Sequence, residues 1–148
     1  MASGPAVTGR PAGLLRRLAA LVYDSLLLLA VWFVLTATLL PLTGGEAIRH
    51  NPFYTSLLFL AGVGFYGWFW SHGGQTLGMR SWHLQLRNLR PGPVSPWQIL
   101  LRALVAIPSF ALFGLGYLWM LVDRDRLTWH DRYSETTVVR LERNPLGR

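Results

Sequence analysis

The chain has no cysteine, no lysine, little charge and only seven acidic residues in 148. Without Cys there is no disulfide, no thiolate nucleophile and no thiolate metal site. All fourteen basic residues are arginine, which we read as genomic base composition rather than mechanism. Charged residues make up 14% of the chain and hydrophobic ones 51%, where an average soluble domain carries about 25% charge. That balance describes an integral membrane protein built as one domain. The formal charge of +7 would suit nucleic acid, but the arginines flank apolar runs instead of interleaving with aromatics. They have the pattern of residues that orient a membrane protein, and nucleic acid is not an expected partner.

The stretch that organises the chain is Leu14 to Pro41, LLRRLAALVYDSLLLLAVWFVLTATLLP. From Leu26 to Leu40 it has no charge, and extended back to Leu18 it exceeds the ~20 residues a spanning helix needs. Only Asp24 interrupts it. A carboxylate there costs roughly 2.5–3.5 kcal/mol on insertion scales, so it is expected to face protein or water and to have a partner. Arg17 is the first candidate. The two sit nearly two helical turns apart on one face, too far for a short direct bond, with Ala20 between them leaving room for a third group. The plain reading of the pair is insertion depth and helix packing; the functional one is moving or sensing an ion or solute.

Before this span, MASGPAVTGRPAG reads as a flexible amino-terminal segment, residues 1–13, followed by an uncleaved first span. After it, LTGGEAIRHNP reads as a short turn on the non-cytoplasmic side. Phe53 to Trp70 is a second uncharged segment, ending in an aromatic belt and carrying Ala61, Gly64 and Gly67 at helical spacing for close helix approach. Ser71 to Arg102 is polar, with Arg80, Arg87, Arg90 and Arg102 and no acidic residue, and therefore cytoplasmic, like the amino terminus. Within it SHGGQTLGMR is a Gly-broken turn, and WHLQLRN alternates as a strand does before RPGPVSP breaks it. TTVVRLER is also strand-like, and the two are expected to pair into a small cytoplasmic β element lying on the membrane domain.

Ala103 to Val122 is the third apolar segment, and it leaves two topologies open. As one span it sends the tail outside and divides the arginines evenly between the sides. Broken around Pro108-Ser109 or Gly114-Gly116, it becomes a re-entrant or interfacial hairpin, because twenty residues cannot cross ~30 Å twice. That version leaves only Arg49 outside, and the charge count favours it. The expected fold is thus an all-α membrane protein of three apolar helical segments, the third re-entrant in this alternative, with a small β element.

Four pieces in order resemble one known family. They are Arg17 with Asp24 in the first segment, GGQTLGMR after the second, Arg102 opening the third, and TWHDRYSETTVV near the end. Together they are similar to the RDD family of small membrane proteins, with residues 14–140 as the RDD-like transmembrane domain and 141–148 as a tail. The resemblance carries the family's Arg onto Arg17 and its two Asp onto Asp24 and Asp131, with Asp123 the weaker choice for the second. It also singles out Gly74, Gln75, Thr76, Gly78, Arg80 and His130. Met79 stands where a basic residue is usual and His83 where a Gly is usual. What the resemblance implies about activity is transport, with cation/proton exchange or nucleoside movement suggested for some members.

Two functions follow as expectations. One is an oligomeric transporter of a small solute or cation, proton-coupled through Asp24, with the GGQT turn and the broken third segment lining the path. The other is a membrane scaffold in which the Arg/Asp set is glue and the Arg-rich face binds anionic lipid or another membrane protein. Catalysis is not expected: His130 and Asp131 are adjacent, no nucleophile motif accompanies them, and His130 reads as a surface or capping residue. His50, His72 and His83 are scattered, so neither a metal nor another cofactor is expected. The expected location is the cell membrane, multi-pass, with the amino terminus cytoplasmic and a homo-oligomer or a second membrane protein as partner.

Overall fold

The computed structural model describes residues 9–141; residues 1–8 and 142–148, which include most of the expected amino-terminal segment and tail, lie outside the described residues. The chain is mostly helical with one small sheet. Strand β1 (Arg10–Pro11) leads into α1 (Leu14–Leu39), α2 (Pro52–Ser71), the short α3 (Leu77–Ser81) and β2 (Leu84–Asn88). Then come α4 (Pro96–Ala111), α5 (Leu115–Leu118), α6 (Trp129–Ser134) and β3 (Thr136–Arg140).

Helix α1 inverts the usual amphipathic rule. Its buried residues are Arg17, Ala20 and Asp24, spaced to share one face, while Leu15, Leu26, Phe33 and Val34 are exposed. The sequence fixes this because the apolar run goes all the way round the helix and only one polar stripe needs partners. With the 3-10 turn that follows, Leu14–Thr43 is the one helix among the described residues long and apolar enough on its own to cross a bilayer. Helix α2 starts at Pro52 behind an Asn51 cap, whose side chain accepts from the Phe53 and Tyr54 amides, and buries none of its residues.

The third apolar segment differs from its expected bounds. Ser95 and Gln98 form a capping box, so α4 opens at Pro96 and Arg102 sits inside the helix instead of at its head. Pro108 lies within α4, which ends after Ala111. The break comes at Phe113 and Gly114, both left-handed (φ 56° and 77°), and the chain beyond it turns by 104°. Proline at position 108 follows about three helical turns already formed, whereas two successive left-handed residues cannot continue a helix.

The expected pairing of the two strand-like stretches is present. β2 runs antiparallel to β3 with Leu86 opposite Val138 and Asn88 opposite Thr136. β1 adds a third strand on the other edge of β3, Pro11 opposite Val139, an edge position where proline costs no ladder bond. Residues 10–12 are thereby tied down: the Ala12 amide donates to Val138 O at 3.0 Å and Ala12 is buried. Leu84 and Leu86 turn inward while Gln85 and Arg87 are half-buried, so the alternation in sequence becomes one packed face. Ala12, Ala20, Met79, Leu84, Leu86 and Val138 form that core against Trp70, Trp82 and Val94. Met79, where a basic residue is usual in the resemblance, is buried in this core. His83 takes a left-handed conformation (φ 56°), so the tight turn before β2 is made without glycine.

Candidate functional site

Two buried carboxylates, Asp131 and Asp24, hold elements of the fold together, and they do so separately. Asp131 is the third residue of α6, where it and Thr128 form a capping box. Its side chain also accepts from two arginines: Arg17 from α1 on Oδ2, and Arg102 Nη1 from α4 at 2.5 Å on Oδ1. Arg17 Nε donates to Ala12 O at 3.1 Å and its Nη2 to Val138 O at 3.2 Å. Arg102 also donates to Thr136 Oγ1 at 3.1 Å and lies 5.3 Å above the Trp70 ring. One carboxylate thus ties α1, α4, α6 and the sheet into a single cluster. Breaking such a pair costs about 3–5 kcal/mol, because an uncompensated buried charge is left behind.

Asp24 takes no part in it. Its Oδ2 accepts from Thr76 Oγ1 at 2.5 Å and its Oδ1 from the Gly78 amide at 2.9 Å. Thr76 is the cap of α3 and accepts in turn from the Met79 amide. Among the described residues no cation lies within ion-pair distance of Asp24. The GGQT stretch is shaped for this. Gly74 is left-handed (φ 68°), its carbonyl accepts from the Leu86 amide at 2.7 Å, and a Cβ there would stand 2.7 Å from Leu86 O. Gln75 Nε2 donates to Leu84 O at 2.6 Å. At Gly78 a Cβ would fall 2.3 Å from Ala20 O, so glycine alone lets α3 press against α1. Ala20, expected to leave room for a third group, leaves it for α3.

The residues singled out in the sequence therefore divide. Arg17, Arg102 and Asp131 meet; Asp24 meets Thr76 and Gly78, with Gly74 and Gln75 behind them. Asp123 joins neither: it accepts from the Leu127 amide at 2.9 Å and from Arg132 at 2.5 Å. The Leu127 amide, helped by Arg132, holds its carboxyl below the usual range. Arg80 is exposed at the end of α3.

His130 is a correction. It is 2% exposed and stands edge-on to Tyr117 at 4.7 Å, not on the surface. Burial, then the Arg102 charge, pushes its imidazole down to about 3, so it is neutral. Burial pushes the Asp131 carboxyl up, but Arg102 and Arg17 outweigh it and hold it ionised below the ordinary range. The burial of His130 follows from α6 packing flat on α4, which a six-residue helix cannot signal by periodicity.

Beside this cluster is a cavity of 240 Å³, lined by Leu21, Gly62, Tyr66, Ala106 and Phe110, with Trp70, Arg102 and His130 at its polar end. Sequence reasoning gave no sign of it, because five elements contribute its wall. No group of His, Asp or Glu among the described residues is placed to hold a metal ion. No curated protein and no solved structure matches the chain. The pattern of one protein family does match, over residues 11–135, which takes in both carboxylates, both buried arginines and the GGQT stretch. The chain belongs to the RDD family.

Proposed function

We propose that this chain is an integral membrane protein of the cell membrane that moves a small solute or cation as an oligomer, with Asp24 as the proton-coupling group. The observation that carries this is the set of donors around Asp24. It is 2% exposed and bonded only to a hydroxyl and a backbone amide. A carboxylate held by neutral donors gains or loses a proton without breaking an ion pair, as Asp131 cannot.

Membrane insertion is supported by the exposed apolar surface of α1, α2 and α4 and by RDD relatives being generally membrane proteins. The re-entrant topology is supported by the sheet. β2 precedes the third segment, β3 follows it, and the two pair directly, so both ends of the segment belong on one side of the bilayer. In that arrangement α1 spans, the 20-residue α2 returns the chain beside it at the short end of spanning length, and the bent α4–α5 pair enters and returns.

In liposomes with an imposed pH gradient, Asp24→Asn is expected to insert and fold but to lose at least about tenfold in coupled flux, since the amide keeps the shape of the site and cannot titrate. Normal flux in that variant would remove Asp24 from the mechanism. The second reading, a membrane scaffold, is favoured by the Arg17–Asp131–Arg102 cluster, in which the charges serve each other. Absence of flux in wild type, with stoichiometric co-purification of another membrane protein, would select it.

A further inference from the structure

At the end of α1 that holds Arg17 is a groove of 640 Å³, lined by the first turn of that helix, by β1, by the end of β3 and by the limb that returns from the bend. Its size falls in the range of about 300–1,000 Å³ typical of ligand pockets. Arg16 of α1, Arg126 of the limb and Arg140 of β3 line it, the first half-buried and the other two exposed. No carboxylate among the described residues does. Those side chains are placed elsewhere. Asp131 serves Arg17 and Arg102, Asp123 and Asp125 face Arg132, and Glu135 faces Arg90. Asp24 is buried on Thr76 and Gly78, and Glu46 follows the far end of α1. Among the described residues, Arg16, Arg126 and Arg140 therefore have no carboxylate within ion-pair distance. Three like charges around one groove repel each other until an anion shares them. Helix α1 adds to their field, because it opens at Gly13 with no side-chain cap and no acid in its first turn.

The same groove is also apolar. Leu14, Leu15, Met120 and Leu121 line it, with Leu15 82% and Leu121 67% exposed. Exposed leucine beside arginine suits the boundary between hydrocarbon and head groups, where the chain of a lipid meets its charge. In the membrane arrangement proposed above, on which this inference rests, this end of α1 lies at the cytoplasmic surface, whose leaflet carries anionic lipid. Arg80, Arg87 and Arg90, the other arginines expected on that side, do not line the groove.

We propose that this groove binds the head group of an anionic glycerophospholipid, its phosphate accepting from Arg16, Arg126 and Arg140 and its acyl chains lying on Leu15 and Leu121. Guanidinium forks match phosphate oxygens and bind them with charge-assisted bonds. A zwitterionic lipid offers the same phosphate but brings its own cation, which the three arginines repel.

The test places the full chain in nanodiscs of phosphatidylcholine and phosphatidylglycerol in equal amounts and counts, by native mass spectrometry, the lipid that stays bound on release. One phosphatidylglycerol per chain is expected, retained at least tenfold over phosphatidylcholine. Arg16→Gln, Arg126→Gln and Arg140→Gln each remove one cation from a different part of the groove. Each is expected to cut that preference about fivefold, the contribution of one basic residue at an anionic surface. Arg124→Gln, close by in the chain but outside the groove, removes the same charge and is expected to leave the preference unchanged. An equal loss in Arg124→Gln, or no loss in the three groove variants, would overturn the proposal by showing that overall charge alone acts. Displacement of the bound lipid by excess glycerol phosphate would overturn the lipid assignment and give the groove to a soluble phosphate. A wild-type chain that enters no bilayer would overturn the membrane arrangement and this site with it. A chain that enters and retains both lipids equally would overturn the site alone.

Discussion

At the scale of single residues, His130 and Asp131 are neighbours in sequence with opposite electrostatic fates. Both are buried beside Arg102; the carboxylate is charged because it pairs with that arginine, and the imidazole is neutral because it does not. This gives the protein two acid-sensitive windows. The His130 value falls from 6.5 in the unfolded chain to about 3 in the fold. The unfolded chain therefore binds the extra proton first, and stability present above pH 6.5 is lost as pH falls toward about 3, by up to ~1.4 kcal/mol per unit. Asp131 is also depressed, from 3.8, so its contribution is intact above that value and is lost only in stronger acid. Between pH 6.5 and 4 the His130 effect acts without that of Asp131. His130→Phe, which keeps an aromatic ring against Tyr117, is expected to flatten the pH dependence of the urea midpoint in that window. Parallel curves for variant and wild type would mean that His130 is not held neutral.

At the scale of elements, what could be read from the sequence was what has a period or a stop signal. β2 and β3 were legible through alternation and β-branched residues, and α1 through its length. β1 was not, since Arg10–Pro11 has no pattern and becomes a strand only by lying beside Val139. The apolar character of the third segment was legible, and so were two candidate breaks: the helix ends at the left-handed Phe113 and Gly114, the second of them, while Pro108, the first, sits within the helix. The shared face of Arg17 and Asp24 was legible too, but their partners come from distant parts of the chain, and pairing of that kind is a property of the fold. Helix α3 shows how tightly such a partner is set. Its Gly78 amide reaches Asp24 only because no Cβ stands between α3 and the Ala20 carbonyl. Gly78→Ala places that carbon 2.3 Å from Ala20 O, a backbone atom that cannot swing aside. The variant is expected to lose at least ~2 kcal/mol through overpacking and a lost bond to a buried carboxylate. Faster amide exchange in residues 76–81, with the sheet unchanged, would locate the damage. Wild-type exchange there would show that α3 does not depend on this contact.

At the scale of the whole molecule the polarity runs along one axis. The cluster, the GGQT stretch and the sheet lie at the end of α1 that holds Arg17, and the loop after Thr43 lies at the other end of a helix about 39 Å long at ~1.5 Å per residue. Apolar side chains cover the surface of the intervening helices. A bilayer of ~30 Å hydrocarbon thickness fits that interval. The sheet then constrains topology more strongly than the arginine count does. Arg10, Arg87 and Arg140 belong to three strands of one sheet, so in the proposed membrane arrangement the chain before α1, the loop after α3 and the chain after α6 share a side. Because the natural sequence contains no Cys, single cysteines report this without interference. Placed at the exposed positions Arg90 and Glu135, they are expected to resist a membrane-impermeant thiol reagent on intact cells and to react once the membranes are opened. A cysteine at Glu46 is expected to react on intact cells. Labelling of 90 and 135 from opposite sides would be incompatible with the β2–β3 pairing. Labelling of both from outside would keep the fold and reverse its orientation, placing Asp24 and its Thr76 partner at the outer face.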